Sequence, residues 1–415
     1  MPNQIDQFLK HHNMHADDAN VEHLCNLFLE EMKTGLMGGH SSLAMYPSFL
    51  TVSSAALSLT TDKKITAVDV GGTHIRVANI DVKKNGRISI EKLESFAMIG
   101  KQSEFSANEF FQYLAEIIAP YALQSNGIGI SFAFPGTVTP DRDLMIQEMA
   151  KEIHVNGIEG ESLRNHLNDA FREMYQKEFL IIAVNDSVAS LLGAVAGKDV
   201  GQYGSLTGLI VGTGTNTCYL EQTHQIGKIT SFESPTDLIN MESGSFAQYI
   251  GGDFDRLLDI NSELPGDHLF EKMVGGKYLG RIVHLTALAA QKEKIISQDY
   301  ALTFLQDSTA KDINVLLKNK TDDNDFALVK QIANNFVKRA SKLLAANLWA
   351  TIKKQGNFEH PALISAEGTT FEKTYGFREA ITNELAIHTN GLPIEWVSVP
   401  NAVVIGSALA ASKYC

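Results

Sequence analysis

Cysteine is scarce in this chain of 415 residues. Only Cys25, Cys218 and Cys415 occur, an odd number with neither a disulfide framework nor zinc-ligand spacing. A disulfide-stapled fold is excluded, and a reducing cytoplasmic setting is expected. Positive charge is also short: 35 Lys and Arg face 48 Asp and Glu, for a net charge of −13. Such a field repels phosphodiester backbones and argues against nucleic acid as the main partner. An anionic ligand must then be attracted locally, by backbone amides or a bound cation. No uncharged apolar run approaches the roughly 18 residues of a membrane span, so no membrane partner is expected. The opening stretch MPNQIDQFLKHHNMHADD lacks a basic segment leading into an apolar run, so no signal peptide is expected either. His11, His12 and His15 within it read as a solvated, mobile terminus rather than as metal ligands.

What is present centres on Val68 to Val77, VDVGGTHIRV. Two apolar, β-branched segments flank a Gly71-Gly72-Thr73 turn, the pattern of a tight hairpin entering a sheet. Glycines let backbone N–H groups approach whatever sits above the turn, and Thr73 adds a hydroxyl, which together suit a phosphate cradle. Asp69 ends the first strand, where a carboxylate could hold Mg²⁺ directly or through water. The competing reading is a plain hairpin whose Asp69 caps a turn.

The design is repeated in Leu206 to Tyr219, LTGLIVGTGTNTCY, where Gly212-Thr213-Gly214-Thr215-Asn216 joins two strands. Two such turns facing each other could clamp a polyphosphate. Between them, FLIIAVNDSVASLLGAVAG (Phe179 to Gly197) reads as a buried strand, then Asn185-Asp186, then an apolar helix ending at a glycine. A carboxylate at that strand end could act as a base, and Asn-Asp-Ser is equally a good helix N-cap. GTGTNT lacks the third glycine of a dinucleotide fingerprint, and GAVAGKD is one residue short of a P-loop.

Elsewhere, Asp17 to Gly38 has helical periodicity with Asp17 and Asp18 as candidate caps. Ser53 to Lys64 is loop-like, and Ile65–Val70, Ile75–Val82 and Ile88–Phe96 suit a three-strand meander. Helices are expected over Asn108–Tyr121, closed by Pro120, and over Ser162–Gln176, with a buried strand at Gly127–Phe134 between them. Phe326 to Gly356 reads as one long helix. Strands alternate with helices in both halves, and the chain is long enough for two α/β domains facing across a cleft.

These motifs, in this order from about Asn20 to Lys413, resemble the eukaryotic-type hexokinases and glucokinases of the actin-like sugar kinase superfamily. The resemblance implies two ribonuclease-H-like domains, a small one of residues 63–184 plus 401–415 and a large one of 1–62 plus 185–400. It implies ATP-dependent phosphorylation of a hexose, foremost D-glucose, at its 6-hydroxyl, with Mg²⁺, in a monomer or homodimer. Asp186 would be the general base, with Lys151 near the 6-hydroxyl and the transferring group. Asn185, Asp186, Asn216, Glu242, Glu271 and Lys151 would bind the sugar. Asp69, Gly71, Gly72, Thr73, Arg76, Gly212, Thr213 and Gly214 would hold the phosphates, with Arg76 supporting its loop or facing phosphate. Gly368 would border the adenosine, and Gly406-Ser407, opening the closing helix, would make the last nucleotide contact. Ala133, Ala150 and Asp267-His268 depart from the family pattern.

Overall fold

The computed structural model describes residues 4–52, 61–101, 103–149, 153–320 and 322–415. The chain divides into two compact units, one of residues 45–208, 218–240 and 396–415, the other of 1–44, 209–217 and 241–395.

In the first of these, Val, Ile and Ala runs bury both faces of the central strands, the composition of a sheet covered on both sides. Its five strands run Ile181–Val184, Gly127–Phe132, Lys63–Val70, His74–Val82 and Ile88–Ala97, the first three parallel and the last two added antiparallel. The three expected meander strands are thus present. Ile88–Ala97 is the edge, and its exposed Glu91, Lys92 and Glu94 blunt it against pairing with another chain. Helix Ala107–Ala122, started by a Ser106–Glu109 capping box, and helix Leu163–Tyr175 supply Phe110, Phe111, Leu114, Leu167 and Phe171 to the core. Pro120 lies inside the first of these helices rather than closing it, near its C-terminal end. The strand expected to reach Phe134 ends at Phe132.

The closing helix Ala402–Ser412 packs on Gly127–Phe132 and along helix Asp186–Ala194. The approach is backbone to backbone. A Cβ on Gly129 would stand 1.9 Å from the Ser407 carbonyl oxygen, one on Gly193 2.0 Å from that of Ala402, and one on Gly406 1.7 Å from that of Ala189.

The other unit is mostly helical. Its longest element, Asn324–Gln355, is capped by Asp323, whose carboxylate accepts the Phe326 N–H, and it ends at Gly356 with φ 73°. A residue at C′ must take that left-handed conformation, which is why glycine stands there. The helix packs against Val21–Leu36, Gly276–Lys292 and Phe377–His388. Val21–Leu36 is capped by Asn20, not by Asp17 or Asp18, which lie in the preceding 3₁₀ turn Ala16–Asp18. Residues 4–18 are not a solvated terminus. Gln4–His11 is a helix burying Ile5, Phe8 and Leu9, and His12 bridges Asp253 and Glu293 at 2.8 and 2.9 Å. Three apolar residues on one face, with a packing partner, outweigh a polar composition.

In the unit that holds residues 45–208 and 218–240, strand Thr236–Asn240 pairs antiparallel with Tyr46–Pro47 on one side and with residues 218–222 on the other. Among the described residues, no helix is long and apolar enough to cross a membrane.

Candidate active site

Strands Lys63–Val70 and His74–Val82 meet at Gly71, Gly72 and Thr73, and the Gly71 N–H closes the turn on the His74 carbonyl at 3.1 Å. The register sets Asp69 directly opposite Arg76. Arg76 Nε and Nη2 lie 2.9 and 2.6 Å from Asp69 Oδ2, and Nη1 reaches Asn401 Oδ1 at 3.4 Å. Of the two roles expected for Arg76, the geometry gives it support of the hairpin. Thr73 is exposed, with Lys101 Nζ 3.4 Å from its hydroxyl.

In the same unit, the buried strand Ile181–Val184 leads into helix Asp186–Ala194. Asn185 is the cap: its Oδ1 accepts the Ser187 N–H at 2.9 Å and the Ser187 hydroxyl at 2.6 Å. Asp186 is therefore the first helical residue, and its Oδ1 accepts the Ser187 N–H at 2.8 Å. The positive end of the helix dipole favours a charged carboxylate there. Cys218 fixes the floor below, with Sγ 3.1 Å from the Ser187 carbonyl, and a Cβ on Gly208 would stand 2.7 Å from that sulfur. Burial pushes the Cys218 thiol up to about 12, so it is inert packing.

The second glycine turn is built differently. Gly212 N–H donates to the Gly214 carbonyl at 2.9 Å. The Gly212 carbonyl accepts from Gly276 N at 2.9 Å and from the Thr370 hydroxyl at 2.7 Å, and the Thr213 carbonyl accepts from Lys277 N at 3.0 Å. In a trans peptide the N–H lies opposite the C=O. The amides of Thr213 and Gly214 therefore point away from those partners, as a phosphate cradle requires. Gly368, at φ 110°, fits where a Cβ would stand 2.3 Å from the Val211 carbonyl oxygen. Its absent side chain lets the two segments touch.

Glu271 joins this turn from helix Leu269–Val274, its Oε2 accepting the Thr215 N–H at 3.0 Å. Asn216 Oδ1 accepts the N–H groups of Thr217 at 2.7 Å and Ser243 at 3.3 Å, which fixes the amide plane. Glu242 sits at a left-handed corner, φ 53°, immediately before Ser243. Asn216, Glu242, Glu271 and the Gly212–Gly214 turn thus gather in one unit, as Asp69, Arg76, Asn185 and Asp186 do in the other. Thr370, Gly275 and Gly276, which back the turn, escaped the reading of the sequence. Their only signal was small residues following two motifs.

Gly406 and Ser407 stand elsewhere in the logic of the fold. They lie mid-helix rather than opening it, both are buried, and the Ser407 hydroxyl donates to the Val403 carbonyl at 2.8 Å. Close helix packing accounts for both. Lys151 lies outside the described residues, as do Ala150 and positions 53–60.

Two hexokinase family models match the chain, one over residues 4–195 and the other over 206–413. A hexokinase of Schistosoma mansoni is 27% identical over 402 residues, covering 88% of this chain and 87% of its own length. Hexokinase-2 of Rattus norvegicus is 30% identical over 71% of this chain and 33% of its own length. Among solved structures, the hexokinase from Schistosoma mansoni complexed with glucose superposes with a TM-score of 0.82 at 22% identity, over 99% of this chain and 98% of that one. A glucokinase of the ROK family from Streptomyces griseus gives a TM-score of 0.52 at 16% identity, over 83% of this chain and 98% of its own. The expected α/β fold with its two sheet-based domains is that of these kinases. With the two models together spanning nearly every residue from the first helix to the last, the chain belongs to the hexokinase family.

Proposed function

We propose that this chain transfers the γ-phosphoryl group of ATP to the 6-hydroxyl of a hexose, foremost D-glucose, with Asp186 as general base. The observation that carries the reading is local. Asn185 caps the helix and Asp186 is its first residue, a carboxylate at the positive end of the helix dipole. Support comes from the similar Schistosoma mansoni structure, which is complexed with glucose, and from the Streptomyces griseus glucokinase, which holds glucose and AMPPNP.

In this reading Asp186 takes the proton of the 6-hydroxyl as the oxygen attacks phosphorus, and ADP leaves in line. Asn185, Asn216, Glu242 and Glu271 pair with the sugar hydroxyls, and Lys151 stands beside the transferring group. A polar site of this kind rejects sugars with missing or inverted hydroxyls, because its own groups would be left unpaired. The outward amides of Thr213 and Gly214, with the Gly71–Thr73 turn, bind phosphate, and Gly368 borders the adenosine.

Among the described residues, no three His, Cys, Asp or Glu side chains group to hold a metal, and Arg76 occupies Asp69 Oδ2. That donor set fits Mg²⁺ delivered on the nucleotide, with Asp69 reaching it through water. When bound, the ion neutralises charge developing on the phosphate oxygens. Residues 63–184 plus 401–415 are proposed as the small domain and the remainder as the large one, in a cytoplasmic monomer or homodimer.

The test is ATP consumption with and without glucose, for the wild type and for Asp186→Ala. The wild type should consume ATP only with sugar. The variant should lose roughly 10²–10⁴ in turnover while still binding ATP. Undiminished turnover in the variant would remove Asp186 as the base.

A further inference from the structure

Between the sugar-facing residues of the helical unit and its longest helix runs a line of buried polar groups that the proposed reaction does not explain. Asn347, in the middle of helix Asn324–Gln355, is 0% exposed, as are Thr217 and Ser243. The Thr217 hydroxyl donates to Asn347 Oδ1 at 2.7 Å and accepts from the Ser243 hydroxyl at 3.0 Å. Each hydroxyl has one donor to give, so the chain has a single direction, Ser243 to Thr217 to Asn347. Its far end holds both Asn216 and Glu242. Asn216 Oδ1 accepts the Thr217 and Ser243 N–H groups, and Met241 N–H donates to the Thr217 carbonyl at 3.0 Å. Glu242 lies between Met241 and Ser243 in a left-handed conformation that a glutamate rarely adopts.

A helix interior built for packing alone would carry an apolar residue at position 347. Instead, the Asn347 Nδ2 is buried with no hydrogen-bond partner among the described residues. An amide buried at such a cost is retained where its other end performs a task.

We infer that Asn347 and Thr217 are positioning residues: through Ser243 they hold the corner carrying Glu242, and the amide of Asn216, in the orientation that binds the sugar. The inference rests on the proposed sugar-kinase reading and deepens it. Both residues are fully buried. They act by fixing a strained corner that would otherwise relax.

The test compares Thr217→Val, Thr217→Ser and the double variant Thr217→Val/Asn347→Leu, reading glucose KM, ATP KM, kcat and Tm. Thr217→Val should raise the glucose KM about 10-fold with the ATP KM within about 2-fold, since one buried hydrogen bond of the sugar corner is lost. Thr217→Ser keeps the hydroxyl and should restore the wild-type value. In the double variant no amide is left unpaired, so Tm should recover while the glucose KM stays raised, because Ser243 still lacks its acceptor. Recovery of the glucose KM together with Tm would reduce the chain to a stability element and overturn the inference. An unchanged glucose KM in Thr217→Val, with an active wild type, would overturn it alone. A wild type without sugar-dependent ATP consumption would overturn the proposed function, and the positioning role with it.

Discussion

Glu271 reaches the second glycine turn through the space that Gly214 leaves open. Its Oε2 accepts the Thr215 N–H at 3.0 Å, and a Cβ on Gly214 would stand 2.0 Å from that oxygen. The glycine is needed here for room rather than for an unusual φ.

Gly214→Ala should therefore displace the Glu271 carboxylate by about an ångström and lower kcat/KM for glucose roughly 10²-fold. Melting should change little, because the turn is partly exposed. Steady-state kinetics beside a thermal melt checks this. Unaltered kinetics would mean that Glu271 does not serve the sugar.

Arg339 and Asp255 form the most buried ion pair described, 1% and 5% exposed in their side chains, with Nη1–Oδ1 3.0 Å and Nη2–Oδ2 2.5 Å. Asp255 also accepts the Gly252 N–H at 2.7 Å, closing the start of helix Asp253–Ile260. Arg339→Met leaves a buried carboxylate unpaired and should cost about 3–5 kcal/mol. Denaturant unfolding measures it, and a loss below about 1 kcal/mol would show that water reaches the site.

His12 gives a pH signature. Burial lowers its affinity for a proton, but its hydrogen bonds to Asp253 and Glu293 outweigh that, and the folded value is raised above the ordinary 6.5. A histidine raised in this way adds stability below its unfolded pKa, and that stability is lost as pH rises through the folded value. Both carboxylates are nearly half exposed, so screening trims the gain to about 1 kcal/mol. His12→Gln should then destabilise the protein more at about pH 5.5 than at about pH 8.5. Equal losses at both would remove the charged bridge.

Thiol chemistry separates folded from unfolded chains. Burial pushes Cys25 and Cys218 up to about 12 and Cys415 up to about 11. Alkylation near neutral pH should be slow at all three in the native protein and rapid after denaturation, read by intact mass. Fast native labelling of Cys218 would contradict the packed floor beneath Ser187.

Much of the local structure was legible in the residues themselves. The meander around Asp69, the strand before Asn185 and the helix ending at Gly356 each follow from periodicity and turn chemistry acting over a few positions. The identity of a cap was less legible. Asn185 and Asp186 offer the same oxygen one residue apart, and the backbone conformation of Asn185 decided between them.

The order of chemical types along the chain thus determined the strands and helices around the glycine turns and which residues carry charge or amide groups at their ends, though not the helix Gln4–His11. Only the tertiary structure decided what each group faces. It turned Gly406 into a helix-packing residue, gave His12 two carboxylates from distant segments, and connected Asn347 to Thr217 across 130 positions. Periodicity records which side of an element is apolar, whereas a hydrogen bond between distant residues depends on ångström-scale packing that no local pattern encodes.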